Sequence, residues 1–291
     1  MNIPRTVTYL AVFIIGFIAV SLWSFWLAVR PPRISIPGTP ADYGLAAEEL
    51  TIETADGLTL SSWLIRGQNH REAGPAVILL HGYPAEKSDM LSIARALHPS
   101  FTTLLLDLRY FGKSQGRSTT LGLREREDLS RAIEVLAARA FQPIGVFGFS
   151  LGGAVGILTA AEDERIKAVA AYASFSDLRT LGYETYSSLW ILKYPLVELM
   201  ILWGKLFLGG DVTRPSPSDI ALKLSIPVLL IHSRQDEQIS FRHAELLRQS
   251  LAKNQKAEFL FQERGRHGEL PPDFDERLIE FFKRHLATPS P

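Results

Sequence analysis

No charged residue occurs from Val7 to Val29, a run of about 23 residues that is long enough, as a helix, to cross a hydrocarbon core. Trp23, Phe25 and Trp26 sit near its end, where aromatic side chains suit a membrane interface, and Arg30-Pro-Pro-Arg33 closes it with charge and proline. The run exceeds the 7 to 15 residues of a signal-peptide core and no A-x-A site follows, so it reads as an uncleaved anchor. Arg5 on one side faces Arg30 and Arg33 on the other, so the positive-inside bias nearly cancels and assigns no side of the membrane. Residues 31–47, rich in proline, glycine and small side chains, read as a tether whose loss is expected to leave catalysis intact.

Beyond the tether the period changes. Glu49 to Thr54 and Leu58 to Ile65 read as strands joined through Ala55-Asp56-Gly57, a hairpin signal, giving an antiparallel edge. Short strand-like runs then recur at Ala76–Leu80, Pro143–Phe147, Ile166–Tyr172, Ile226–Ile231 and Ala257–Phe261. Helical patterns such as Leu121–Arg139 alternate with them, the rhythm of an α/β chain with a doubly wound, mostly parallel sheet. About 50 residues separate Tyr172 from Ile226, more than a crossover needs, which points to an inserted helical lid at about 177–222. Its centre, Leu189 to Leu208, is rich in leucine and aromatics, and Pro195 and Gly204 are expected to break it into short helices. Such a surface either packs on its own core, walls an acyl chain, or rests on the bilayer. The resulting division is 1–30 anchor, 31–47 linker and 48–291 catalytic domain.

Candidate chemistry clusters at the ends of the strand-like runs. Gly148-Phe-Ser150-Leu-Gly152 follows one such run and precedes a small-residue helix pattern, the context of a nucleophile elbow that presents the Ser150 hydroxyl. A glycine-rich turn holding an inert serine has the same five letters. A serine hydroxyl is a poor nucleophile until an imidazole takes its proton, and a carboxylate must hold that ring. Asp236, in the loop after Ile226–Ile231, and His267, after Ala257–Phe261, supply acid and base in the order Ser, Asp, His. The oxyanion donors expected are the backbone amides of Leu151 and of Tyr83, the latter in His81-Gly82-Tyr83-Pro84 after Ala76–Leu80. His81 precedes the serine and reads as a buttress of that loop.

From about residue 45 onward these residues give the chain a resemblance to serine hydrolases of the α/β-hydrolase fold. Asp107-Leu-Arg109-Tyr-Phe-Gly112-Lys-Ser114 resembles the D-x-R-G-x-G-x-S segment of those proteins, with Tyr110 where they often have glycine. The apolar N-terminal run is similar to that of single-pass hydrolases of the BEM46-like group. The resemblance implies an eight-stranded sheet, and its D-E pattern favours Asp236 over the adjoining Glu237 as the acid.

Composition narrows the partners. Lys plus Arg equals Asp plus Glu at 31 each, so no overall charge draws the chain to nucleic acid. Cysteine is absent, which excludes disulfides and a thiol nucleophile. No H-E-x-x-H or H-x-x-x-H pair suggests a metal, and triad chemistry requires no cofactor. The expected activity is cleavage of carboxylic esters or thioesters of hydrophobic or lipid-like acyl substrates at a membrane. A peptidase or acyltransferase on the same triad, or a non-enzymatic binding module, are the alternatives.

Overall fold

The turn at Ala55-Asp56-Gly57 forms as expected. Gly57 adopts φ +80°, the Thr54 amide donates to the Leu58 carbonyl at 2.9 Å, and β1 (Glu48–Glu53) runs antiparallel to β2 (Thr59–Ile65). The computed structural model describes residues 4–68 and 72–286; the outermost parts of the anchor and the catalytic domain, residues 1–3 and 287–291, lie outside the described residues.

Six further strands complete one sheet: β3 (Ala76–Leu80), β4 (Thr102–Leu106), β5 (Ile144–Phe149), β6 (Ile166–Tyr172), β7 (Val228–Ser233) and β8 (Ala257–Gln262). Their order is β1-β2-β4-β3-β5-β6-β7-β8, antiparallel as far as β4 and parallel from there to β8. Period-two alternation divides the core between two faces. Ile78 and Leu80 pack with α3 (Glu125–Ala138), α4 (Leu151–Ala160) and α8 (Phe241–Ser250), whereas Val77 and Leu79 pack with α2 (Leu91–Leu97) and α9 (Phe274–Leu286). β3 and β4 are buried throughout, and each large apolar side chain so buried contributes roughly 1.5–3 kcal/mol.

Three expectations change. The helix predicted from Leu121 begins at Glu125, because the Glu125 carboxylate accepts from Thr119 Oγ1, the Thr120 amide and the Gly122 amide and folds residues 119–122 into a turn. Pro195 and Gly204 do not fragment the apolar stretch. After α5 (Leu178–Thr185) the break falls at Trp190, with φ 49° and ψ −118°, and α6 (Lys193–Leu208) is continuous. Pro195 lies in its first turn, where a missing N–H leaves no helical bond unmade, and Gly204 lies inside it opposite the ring of Phe25.

The third change concerns the tether, which lies on the domain. The Ile36 amide donates to Glu86, Ser88 donates to the Ile36 carbonyl, and Pro40 and Leu45 are buried. Before it, α1 (Arg5–Val29) is, among the described residues, the one helix long and apolar enough to cross a membrane. Its last turns pack on α6: Trp203 Nε1 donates to Ser21 Oγ at 3.0 Å and the Phe25 and Phe207 rings stack at 6.1 Å.

Candidate active site

β5 runs into Ser150, and α4 starts at the next residue. Ser150 takes φ 51° and ψ −111°, a backbone region that costs of order 1–3 kcal/mol for a residue with a side chain. Packing holds it there: the Ser150 amide donates to the Tyr172 carbonyl at 2.8 Å. A Cβ on Gly148 would lie 2.2 Å from the Gly152 carbonyl, so the strand end and helix start approach too closely for any side chain at that position. Leu151 is the first residue of α4, and first-turn amides have no partner within the helix. Such an amide is available to a developing anion beside Ser150.

The loop after β3 reaches the same place. A Cβ on Gly82 would lie 2.7 Å from the Phe149 ring and 3.3 Å from Ser150 Cβ, so Gly82-Tyr83 passes alongside the serine. His81 is buried beneath it. Its Nε2 accepts from the Leu108 amide at 3.0 Å, leaving Nδ1–H to donate to the Gly82 carbonyl at 2.7 Å. Burial lowers the His81 pKa, so the neutral ring supports the loop as a fixed strut.

Asp236 and His267 come together from the ends of β7 and β8. His267 Nδ1 lies 2.7 Å from Asp236 Oδ2, whereas His232 Nε2 lies 3.7 Å from the same oxygen and is bonded to the Ile239 carbonyl instead. Asp236 Oδ1 accepts from the Gln238 and Ile239 amides at 2.9 and 2.8 Å. Burial opposes its charge, but the bond from His267 and those amides prevail and hold the carboxyl below its usual range. Glu237 has a different task, accepting from the His267 backbone amide at 3.1 Å. The loop that carries His267 is also pinned by Tyr172, whose hydroxyl donates to the Glu269 carbonyl at 2.8 Å. The ring of Phe149, next to Ser150, packs at a tilt of 39° on the His267 ring, 4.8 Å between centroids, so Ser150, His267 and Asp236 share one edge of the sheet.

Above this edge lies an apolar cavity of about 610 Å³, with Ser150, Leu151, Tyr83 and Glu237 on its wall. That volume is within the range of small-molecule sites, roughly 300–1,000 Å³. The helices between β6 and β7 supply Leu181, Met200 and Ile201. Phe25, Ala28 and Val29 of α1 line the cavity too, a contribution the sequence reading missed. Three bonds fix them: Tyr83 Oη to the Ala28 carbonyl at 3.0 Å, the Thr119 amide to Val29 at 3.0 Å, and Tyr110 Oη to Pro31 at 2.6 Å. Tyr110 keeps the positive φ, 75°, that suits glycine and uses its ring to hold the chain leaving the helix, with Arg33 stacked on it. Among the described residues no group of three or more His, Asp or Glu side chains is arranged to hold a metal ion.

The chain matches the family described as alpha/beta hydrolase fold over residues 75–184. It is 29% identical to the protein bem46 of Schizosaccharomyces pombe over 155 residues, 51% of each chain, so it spans about half the length of that relative. It is 28% identical to the uncharacterized protein YfhR of Escherichia coli strain K12 over 255 residues, 81% of this chain and 80% of YfhR. Among solved structures, the Pyrococcus furiosus esterase Pf2001 superposes with a TM-score of 0.73 at 24% identity, over 89% of this chain and all of that one, a likeness of fold.

Proposed function

We propose that the chain, whose residues 75–184 match the alpha/beta hydrolase fold family, is a membrane-anchored serine hydrolase that cleaves carboxylic ester or thioester bonds of hydrophobic acyl substrates. The observation that carries the reading is the 2.7 Å contact between His267 Nδ1 and Asp236 Oδ2. It leaves Nε2 as the basic nitrogen, at a ring packed on the neighbour of a strained, cavity-facing serine.

Ser150 Oγ attacks the carbonyl carbon while His267 Nε2 takes its proton, and Asp236 stabilises the imidazolium without itself becoming protonated. The tetrahedral oxygen accepts from the Leu151 and Tyr83 amides. On collapse His267 returns the proton to the departing alkoxide or thiolate, leaving an acyl-serine. Water, deprotonated by the same nitrogen, then attacks the acyl carbon, and as the bond to Ser150 Oγ breaks His267 returns the proton to that oxygen and the carboxylic acid leaves. The helices at 177–222 act as a lid, and α1 spans the bilayer with the domain on one side of it.

The test is turnover of p-nitrophenyl octanoate by the full-length protein in detergent. Ser150→Ala is expected to lower it by a factor of about a thousand or more. Equal turnover by wild type and variant would contradict the reading.

A further inference from the structure

On the serine-hydrolase reading above, we infer that the membrane anchor is itself part of the acyl-binding pocket, and that the substrate is a bilayer-resident acyl ester whose chain lies between α1 and the helices at 177–222. The cavity next to Ser150 is closed on one side by Phe25, Ala28 and Val29 and on the other by Met200 and Ile201. It is therefore a seam between the anchor and α6, with Ser150 on its wall.

The length of α1 sets the depth of that seam. From Arg5 to Val20 every residue except Phe17 is exposed, and burial against the domain begins at Ser21. Those 16 residues, at about 1.5 Å each, reach roughly 24 Å, short of a hydrocarbon core of roughly 30 Å. To span it, the bilayer must extend onto the part of α1 that packs against α6. The exposed face of that helix carries large apolar side chains, with Leu206 63% and Phe207 52% exposed and Trp190, just before it, 81% exposed, while its two exposed charges, Glu198 and Lys205, are paired with Arg179 and Asp211. An acyl chain at the bilayer edge thus meets the seam without crossing water. The hydrogen bonds to the Ala28, Val29 and Pro31 carbonyls keep the anchor seated as a wall.

The experiment uses the full-length protein in phosphatidylcholine vesicles and p-nitrophenyl esters of four and twelve acyl carbons. Ala28→Trp, which fills the seam, is expected to lower the twelve-to-four turnover ratio at least tenfold. Phe25→Leu, a milder change, is expected to raise it. Ile15→Trp, on the exposed part of α1, is expected to leave the ratio at the wild-type value. A wild-type ratio in both Ala28→Trp and Phe25→Leu would overturn the inference, as would an equal fall in Ile15→Trp. Failure of the underlying reading is distinguishable, because wild type would then hydrolyse neither ester.

Discussion

Tyr83 donates its hydroxyl to the carbonyl oxygen of Ala28 at 3.0 Å, so a residue that lines the cavity together with Ser150 also caps the end of the apolar helix. Burial pushes the Tyr83 phenol up to about 12, so it remains a donor throughout the neutral range. Tyr83→Phe keeps the ring and the amide and removes one bond, a loss of about 1 kcal/mol. The expected result is a melting temperature lower by roughly 2–4 °C, read by thermal unfolding in detergent, with reactivity toward small esters retained.

Asp236 and Glu237 are adjacent but hold different parts of His267. Asp236→Asn removes the carboxylate that orients the ring and is expected to lower turnover on the order of thousands-fold. Glu237→Gln keeps an acceptor for the His267 amide and should change turnover less than about threefold. Steady-state kinetics on one ester decides, and reversed effects would move the acid to Glu237.

Acid should dissolve the Asp236–His267 pair in a defined direction. The folded carboxyl titrates below its unfolded value of about 3.9. Its contribution is therefore complete above that value and is lost as the pH falls through the lower, folded one. In thermal melts the advantage of wild type over Asp236→Asn should shrink below about pH 4. An advantage that keeps growing below pH 4 would contradict the assignment.

Gly82 has no room for a side chain, since a Cβ would meet the Phe149 ring at 2.7 Å. Gly82→Ala must displace either that ring, which packs on His267, or the loop that carries the Tyr83 amide. Turnover is expected to fall by about a hundredfold, as for loss of one oxyanion donor, while circular dichroism stays unchanged.

Much of this architecture could be read from local pattern. The runs at Ala76–Leu80 and Ile166–Tyr172 are strands with those bounds, because a buried parallel strand is written as a mainly apolar stretch bounded by turn residues, Lys167 being the one charged and exposed position in the two. The same logic placed Ser150, Asp236 and His267 in strand-end loops, and β5, β7 and β8 bring those loops to one edge. What local pattern missed was long-range. Nothing near Pro31 announces that Tyr110, 79 residues on, will bond its carbonyl, so residues 31–47 read as a free tether. The helix predicted from Leu121 started late because the Glu125 side chain competes for the amides of the preceding turn. Pro195 looked like a breaker because proline interrupts a helix only beyond its first turn, and the start of α6 is fixed by the kink at Trp190 rather than by a composition signal.

The central claim, that Ser150 is an activated nucleophile, is tested most directly by labelling the full-length protein in membranes with a tagged fluorophosphonate and locating the adduct by mass spectrometry. The expected result is one adduct, on Ser150, absent from Ser150→Ala and strongly reduced in His267→Ala. Folded wild-type protein that takes no label, beside a control hydrolase that does, would contradict it.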